Sequence, residues 1–394
     1  MKQFLSIEMF PYNRWLKPSV MKITFNIING FNRFQRAYNN ISDTPRKNKT
    51  EYYQKSEITM KILLCLIFCS TSLFAQSPQQ FSDIGDLVLE NGDTILNCRI
   101  GYRTVGELNE DKSNIIMFPT WFSGTSEQIV PYVAKDKLID GEGFYVIIID
   151  ALGNGISSSP NNSPLQKGSD FPEFTIRDMV HGQYLFLKKE FEVDKIYGAI
   201  GGSMGSLQVL EWTASYPDFI DKVVAYSSSP KVTANELLVF NIRVDIIDSY
   251  KKLNASEKQI QRLLSMQTQL LARTPDYLAN NIDEDNFDNY FERFDFTPNE
   301  RFTSDNYRSQ LKAMTAHNIY SPFGNSAEET IKHLKSEIFL IVSRTDNLLH
   351  PKPAIEFAEK SGSKILVLNN EYGHLAVGHE LKRCADEINN FFAR

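Results

Sequence analysis

Lys195 to Ile200 is a short β-rich run that stops at Gly201-Gly202-Ser203-Met204-Gly205, and a helix-period stretch, Met204 to Ser215, starts at the same point. A chain that passes from strand to helix without a linking loop must turn sharply, and glycines at the turn keep side chains from colliding. The G-x-S-x-G spacing then projects the Ser203 hydroxyl from the strand end, as a nucleophilic serine requires. By chance the bare pattern occurs in about one chain in ten of this length. The strand before it and the helix after it are what give it weight. The plain alternative is a Gly-rich turn whose serine caps the following helix.

The rest of the chain repeats that alternation. Leu87 to Glu90 and Thr94 to Val105 read as strands joined by Asn91-Gly92-Asp93, an Asn-Gly hairpin signal. Further β-rich runs follow at Asn114 to Pro119, Phe144 to Ala151, Lys222 to Ser227, Glu337 to Val342 and Lys364 to Leu368. Helical periods occupy Ile176 to Glu190, Pro353 to Lys360 and His379 to Phe392. Strand and helix in alternation predict an α/β fold, a mostly parallel sheet with helices on both faces. The pattern is interrupted once, at about residues 230–335, by Ala234 to Lys252, Ser256 to Ala272, a loop-like acidic stretch from Asn281 to Asp295, and Thr303 to His317. Helices inserted between two strands predict a cap over the strand ends, where it would shape a pocket; a helical decoration with no such role is the alternative.

A serine hydroxyl attacks only when a base takes its proton, and the base needs an acid to hold its tautomer. Asp346 follows the penultimate β-run and His374 follows the last one, before the final helix. The chain order Ser203, Asp346, His374 is one in which successive strand ends deliver three side chains to one rim of a sheet. Asp346 could instead simply turn its loop, and His350 or His379 could stand in for His374. The oxyanion of an acyl-transfer transition state also needs donors. The Met204 amide, directly after the nucleophile, supplies one, and Trp121 or Phe122, in the loop after the Asn114 to Pro119 run, supplies the other.

The 394 residues carry 42 basic and 48 acidic side chains, a balance without the basic excess that nucleic-acid binding needs. Residues 1–59 differ: ten Lys or Arg face four acids with no sustained period. Met60-Lys61, an apolar run from Ile62 to Phe74, and Ala75-Gln76 then have the layout of a secretory signal peptide. Residues 1–59 are therefore expected to be a disordered, non-native extension from an over-long gene model, 60–75 an export signal, and 76–394 the mature enzyme, periplasmic or secreted. A cytoplasmic location follows if the signal reading fails. The apolar run is shorter than the roughly 20 residues of a bilayer span, so no stable membrane association is expected after cleavage. Cys98 and Cys384 would be the only cysteines left, either bridged or separately buried. No H-E-x-x-H, C-x-x-C or Walker-type motif occurs, so no metal or prosthetic cofactor is expected. A homodimer is left open.

The blocks Phe174-Thr175-Ile176-Arg177-Asp178-Met179-Val180-His181-Gly182-Gln183 and Ile200 to Trp212, continuing through Tyr216-Pro217-Asp218, resemble the homoserine O-acetyltransferase family of α/β-hydrolase-fold enzymes. The similarity extends more thinly over about residues 85–394. It implies an α/β-hydrolase fold with Ser203 as acyl-enzyme nucleophile, His374 as general base, Asp346 as its orienter, and Phe122 and Met204 as oxyanion donors. Thr120-Trp121-Phe122-Ser123-Gly124 and Gly153-Asn154-Gly155-Ile156-Ser157-Ser158-Ser159-Pro160 depart from the segments that shape the family's amino-acid and acyl-donor pocket. The expected activity is therefore that of an exported esterase or acyl hydrolase acting on a small-molecule ester. The alternative is an O-acyltransferase using acetyl-CoA and a hydroxyl acceptor such as homoserine.

Overall fold

A computed structural model describes residues 78–292 and 300–393. The N-terminal extension and the export signal, 1–59 and 60–75, lie outside the described residues. Eight strands, β1 (Gln80–Val88), β2 (Thr94–Val105), β3 (Ile115–Pro119), β4 (Tyr145–Ile149), β5 (Ile196–Gly202), β6 (Ile220–Tyr226), β7 (Glu337–Ser343) and β8 (Lys364–Leu368), form one sheet. Their order is β1-β2-β4-β3-β5-β6-β7-β8. β2 is antiparallel to both its neighbours, and every pairing from β4 to β8 is parallel.

Short, apolar, β-branched strands buried on both faces are what a covered parallel sheet demands. Alternate residues serve opposite cores. Ile115 and Met117 of β3, Ile147 and Ile149 of β4, and Leu340 and Val342 of β7 join one cluster. Ile116 and Phe118, Val146 and Ile148, and Phe339 and Ile341 join the other. Helix α1 (Ile176–Glu190) and helix α2 (Met204–Ser215) cover the first face, and the C-terminal helix (Leu381–Phe392) covers the second. Cys98 lies in the first cluster and Cys384 in the second; both thiols are free and buried. The sheet separates them, so the bridged alternative does not hold.

Between β6 and β7 the chain forms α3 (Ala234–Lys252), α4 (Glu257–Ala272), α5 (Pro275–Asn281), a short helix Phe287–Glu292, α6 (Ser304–Thr315) and a further short helix Ala327–His333. The inserted helices are the expected ones with three corrections, one of them the short helix Ala327–His333, which was not expected. Thr274 accepts a hydrogen bond from the Tyr277 amide and Pro275 fills the first helical position, so α5 forms where no helix was expected. Part of the acidic stretch read as loop is the helix Phe287–Glu292, in which the aromatic residues outweigh the acids as helix-period signal.

The first strand begins at Gln80, well ahead of the Leu87 start expected from hydropathy. Its leading half is polar and lies on the sheet edge, where register shifts between Asp83 and Gly85 and between Gly85 and Leu87 break the two-residue alternation. The single closing helix expected over His379 to Phe392 is two, Ala376–His379 and Leu381–Phe392, parted at Glu380.

β3 sits between β4 on one side and β5 on the other, so the connections leaving these strands diverge. A crevice opens at their carboxyl ends, as it does at the switch point of any open α/β sheet. The loop after β3 and the turn after β5 face each other across that crevice.

Candidate active site

Ser203 occupies the turn between β5 and α2 with φ 54° and ψ −125°, a conformation that a non-glycine residue holds only when its surroundings impose it. Its amide donates to the Tyr226 carbonyl at 3.0 Å, tying the turn to the neighbouring strand β6. The flanking glycines are steric requirements. A Cβ on Gly202 would lie 2.1 Å from the Tyr226 ring, and one on Gly205 would lie 2.6 Å from the Pro119 carbonyl oxygen.

The structure brings Ser203, His374 and Asp346 together. Ser203 Oγ donates to His374 Nε2 at 2.9 Å, and His374 Nδ1 donates to Asp346 Oδ2 at 2.7 Å. Asp346 is buried, and its Oδ1 accepts from the Leu348 and Leu349 amides at 2.8 and 3.0 Å. Two backbone donors on one oxygen leave the other aimed at the imidazole, which sets the tautomer whose Nε2 can accept a proton.

The other histidines are differently engaged. His181 pairs with the Tyr216 hydroxyl, and His350 Nδ1 accepts from the Lys352 amide. His317 is fully buried, its pKa pushed down to about 4 by desolvation, and bonds to the Ser229 carbonyl. His379 lines the same cavity as Ser203 but is stacked on Tyr372 with ring centroids 3.9 Å apart. Burial and the nearby Arg273 charge lower its pKa.

The second set of donors depends on the loop after β3. The Thr120 hydroxyl accepts from the Ala151 amide at 3.0 Å, and the Thr120 carbonyl accepts from Gln208 Nε2 at 3.0 Å. Gln208 is itself held by Gln183 at 2.6 Å, and Gln183 accepts from the Trp212 indole at 2.8 Å. All three are buried. An aromatic side chain of this kind buries about 150–250 Å², so the relay is anchored by a large apolar contact as well as by hydrogen bonds. Further along the loop, the Ser123 amide is taken by Gln310 Oε1 at 2.9 Å, while Gln310 Nε2 donates to the Leu152 carbonyl at 3.0 Å. Arg301 bonds to the Ser123 and Asn154 carbonyls. The Phe122 ring packs edge-on against Phe302 and Tyr307 of the cap. With the Ser123 amide engaged, Trp121 and Phe122 border the crevice with Ser203, and Met204 is the first residue of α2.

Asp150, at the end of β4, holds the base of the same loop. Its carboxylate accepts from the Ser126 amide at 2.7 Å, the Ser126 hydroxyl at 2.8 Å, Gln79 at 2.9 Å and Asn154 at 3.0 Å. Burial raises its pKa, and these donors pull the other way.

Sequence reasoning missed Asp150, Gln183, Gln208 and Gln310. Glutamine at a core-facing position of a helical period is the signal that would have found three of them, since a buried amide needs partners. The quoted Arg177-Asp178 block has a structural task. Asp178 caps its own helix and accepts from the Glu90 amide at 2.8 Å, and Arg177 pairs with buried Glu211 at 2.7 Å.

A cavity of about 800 Å³ opens onto Ser203 and His374. The loop after β3 forms one wall and cap residues Phe240, Arg243, Leu264 and Tyr307 form the other. Gln310 joins the two walls through Ser123. Gln310→Ala is expected to lower kcat about 10- to 100-fold with a smaller change in KM, because slippage of a donor loop acts mainly on the transition state. Initial rates over a substrate series check this, and an unchanged kcat would exclude a positioning role.

A sheet with one antiparallel crossing strand, a serine on a sharp turn after β5, and an acid and a histidine from the loops after β7 and β8 together define a class. The chain belongs to the alpha/beta hydrolase fold family, whose model matches residues 114–380.

Over 174 residues it is 34% identical to the ethyl acetate hydrolase of Pseudomonas veronii, a match that covers 43% of this chain and 49% of that protein. Over 350 residues it is 24% identical to a homoserine O-succinyltransferase of Neisseria gonorrhoeae, covering 77% of this chain and 92% of that one. An acetylester hydrolase from Corynebacterium glutamicum has the same fold, with a TM-score of 0.74 and 22% identity over 80% of this chain and 96% of that chain. The chain spans about half the length of the first curated relatives it matches.

Proposed function

We propose that this protein is a serine esterase that hydrolyses small esters through an acyl-enzyme on Ser203. The observation that carries the reading is the continuous hydrogen-bonded chain Ser203 Oγ, His374 Nε2, His374 Nδ1, Asp346 Oδ2 at the mouth of a largely apolar cavity. Ser203 Oγ attacks the ester carbonyl carbon while its proton passes to His374 Nε2. The negative charge on the carbonyl oxygen is met by the Met204 and Phe122 amides. As the tetrahedral intermediate collapses, the C–O bond to the alcohol breaks and His374 returns the proton to the departing oxygen. Water then gives a proton to His374 and adds to the acyl carbon, and a second collapse releases the carboxylic acid and restores Ser203.

Transfer to an alcohol instead of water differs only in which hydroxyl attacks the acyl-enzyme. The relative named for homoserine O-succinyltransfer, matched over most of both chains, supports that second reading. The ethyl acetate hydrolase match, at higher identity over a shorter span, supports the first, as do the departures at Thr120 to Gly124 and Gly153 to Pro160. The layout of residues 60–75 supports export, and a compartment without acetyl-CoA favours water as acceptor. Among the described residues no helix is long and apolar enough to cross a membrane.

The test is acyl release from ethyl and butyl acetate followed by mass spectrometry, with and without acetyl-CoA and homoserine. Turnover that neither addition changes is expected. Acetyl-CoA consumption that requires an added hydroxyl acceptor would establish the transferase instead. N-terminal sequencing of the protein recovered from its host would show whether residues 1–75 are retained.

A further inference from the structure

The cavity at Ser203 reaches both cores of the sheet. Toward the cap it meets Phe240 and Leu311, members of the first cluster, and on the other side it meets Leu138 and Val377, members of the second. An ester bound across Ser203 can lay one half on each side of the strand ends. The two sides differ chemically. The second carries two phenols, Tyr132 and Tyr226, which pack against its cluster together with Trp121 and Leu381.

Tyr226 is the last residue of β6, and its side chain lies over the main chain of Gly202, the residue before the nucleophile. A Cβ on Gly202 would stand 2.5 Å from the Tyr226 hydroxyl oxygen. That contact holds the phenol beside the reacting centre. Neither the Tyr226 nor the Tyr132 hydroxyl makes a hydrogen bond to any of the described residues. A buried tyrosine hydroxyl ordinarily has a partner. Burial raises the Tyr226 pKa and the neighbouring Tyr132 raises it further, so the phenol keeps its proton and can donate. No Asp, Glu or Lys is among the residues that line the cavity, so the complement of the two phenols is a neutral group. An alcohol hydroxyl fits, accepting from one phenol and donating to the other.

We propose that Tyr226 and Tyr132 form a subsite for a hydroxyl group carried by the ester, so that the preferred substrates are esters of hydroxy acids or monoesters of diols. The inference rests on the esterase reading and adds a second functional group to its substrate. Leu138, Val377 and Leu381, on the same side of the cavity, fit the methylenes between the scissile ester and that hydroxyl.

Two matched pairs of substrates, each exchanging a terminal hydroxyl for a methyl group, test it. Ethyl 6-hydroxyhexanoate against ethyl heptanoate places the hydroxyl in the acyl half, and 4-hydroxybutyl acetate against pentyl acetate places it in the alcohol half. In one pair the wild-type protein is expected to favour the hydroxylated ester by about 30-fold in kcat/KM, because the methyl analogue leaves both phenols unpaired. That ratio should fall to near one in Tyr226→Phe, which keeps the ring against Gly202, and fall part of the way in Tyr132→Phe. A loss of folded protein lowers both esters alike and leaves the ratio where it was. The pair that shows the preference identifies which half lies against Tyr226. Ratios near one in both pairs, or a ratio that Tyr226→Phe leaves intact, would overturn the proposal.

Binding is measured separately by calorimetry of ethyl 6-hydroxyhexanoate and 4-hydroxybutyl acetate on Ser203→Ala, with and without Tyr226→Phe. Binding of either that weakens about tenfold or more without the Tyr226 hydroxyl supports the subsite even if no ester is turned over, an outcome in which only the esterase reading fails. Ser203-dependent hydrolysis of ethyl heptanoate and pentyl acetate with no Tyr226-dependent binding removes the subsite alone.

Discussion

Alanine at position 203 is expected to lower kcat for ester hydrolysis by on the order of 10⁶-fold and to leave the fold intact. The magnitude is that of removing a nucleophile from an acyl-enzyme mechanism while retaining the oxyanion donors and the binding cavity. The side chain lost is one hydroxyl facing the cavity, and the bonds that hold the turn are made by backbone. The Ser203 amide to Tyr226 and the Ser206 and Leu207 amides to the Ser203 carbonyl all survive the change. The check is twofold. Acyl release is followed by mass spectrometry, and covalent labelling by an organophosphonate is located by peptide mapping. A label on another residue, or a loss below about 100-fold, would mean that a different group attacks the ester.

Asparagine at 346 is expected to cost about 10⁴-fold in kcat/KM. The amide keeps one carbonyl oxygen, which suffices for the Leu348 and Leu349 amides, so the loop after β7 should hold. What turns toward His374 is then an NH₂ group. It donates to Nδ1, which moves the imidazole proton to Nε2, the nitrogen that must take the Ser203 proton. The same geometry thus yields an inactive tautomer. An unchanged denaturation midpoint beside the lost activity separates this effect from unfolding. If the variant kept more than a tenth of the activity, Asp346 would have no part in orienting the base.

The three site residues were legible because each is marked by local chemistry: a Gly-flanked serine between strand and helix, and an acid and a histidine just past β-runs. The fold class was legible for a similar reason. Two-residue and helical periods are properties of short windows, and Thr94–Val105, Ile176–Glu190, Met204–Ser215 and Ala234–Lys252 begin and end in the structure where those periods do. The edge half of β1 was not legible, since a bulged, half-solvated edge strand carries no alternation to read. α5 was overlooked because its evidence is a Thr-Pro start and not an apolar face.

By itself the sequence determined the class of fold, the serine at the strand-to-helix turn and the order in which Asp346 and His374 follow it, because these depend on residue type and near neighbours along the chain. Tertiary structure alone decided what supports and what restricts the site. Gln208 reaches the Thr120 carbonyl across 88 positions, Gln310 reaches Ser123 across 187, and Ser203 meets His374 across 171. A buried amide or hydroxyl looks the same in a sequence whether it is paired or not. Only packing shows that Gln208 and Gln310 are satisfied by the donor loop, and that the Tyr226 hydroxyl, set against Gly202, is left to the cavity.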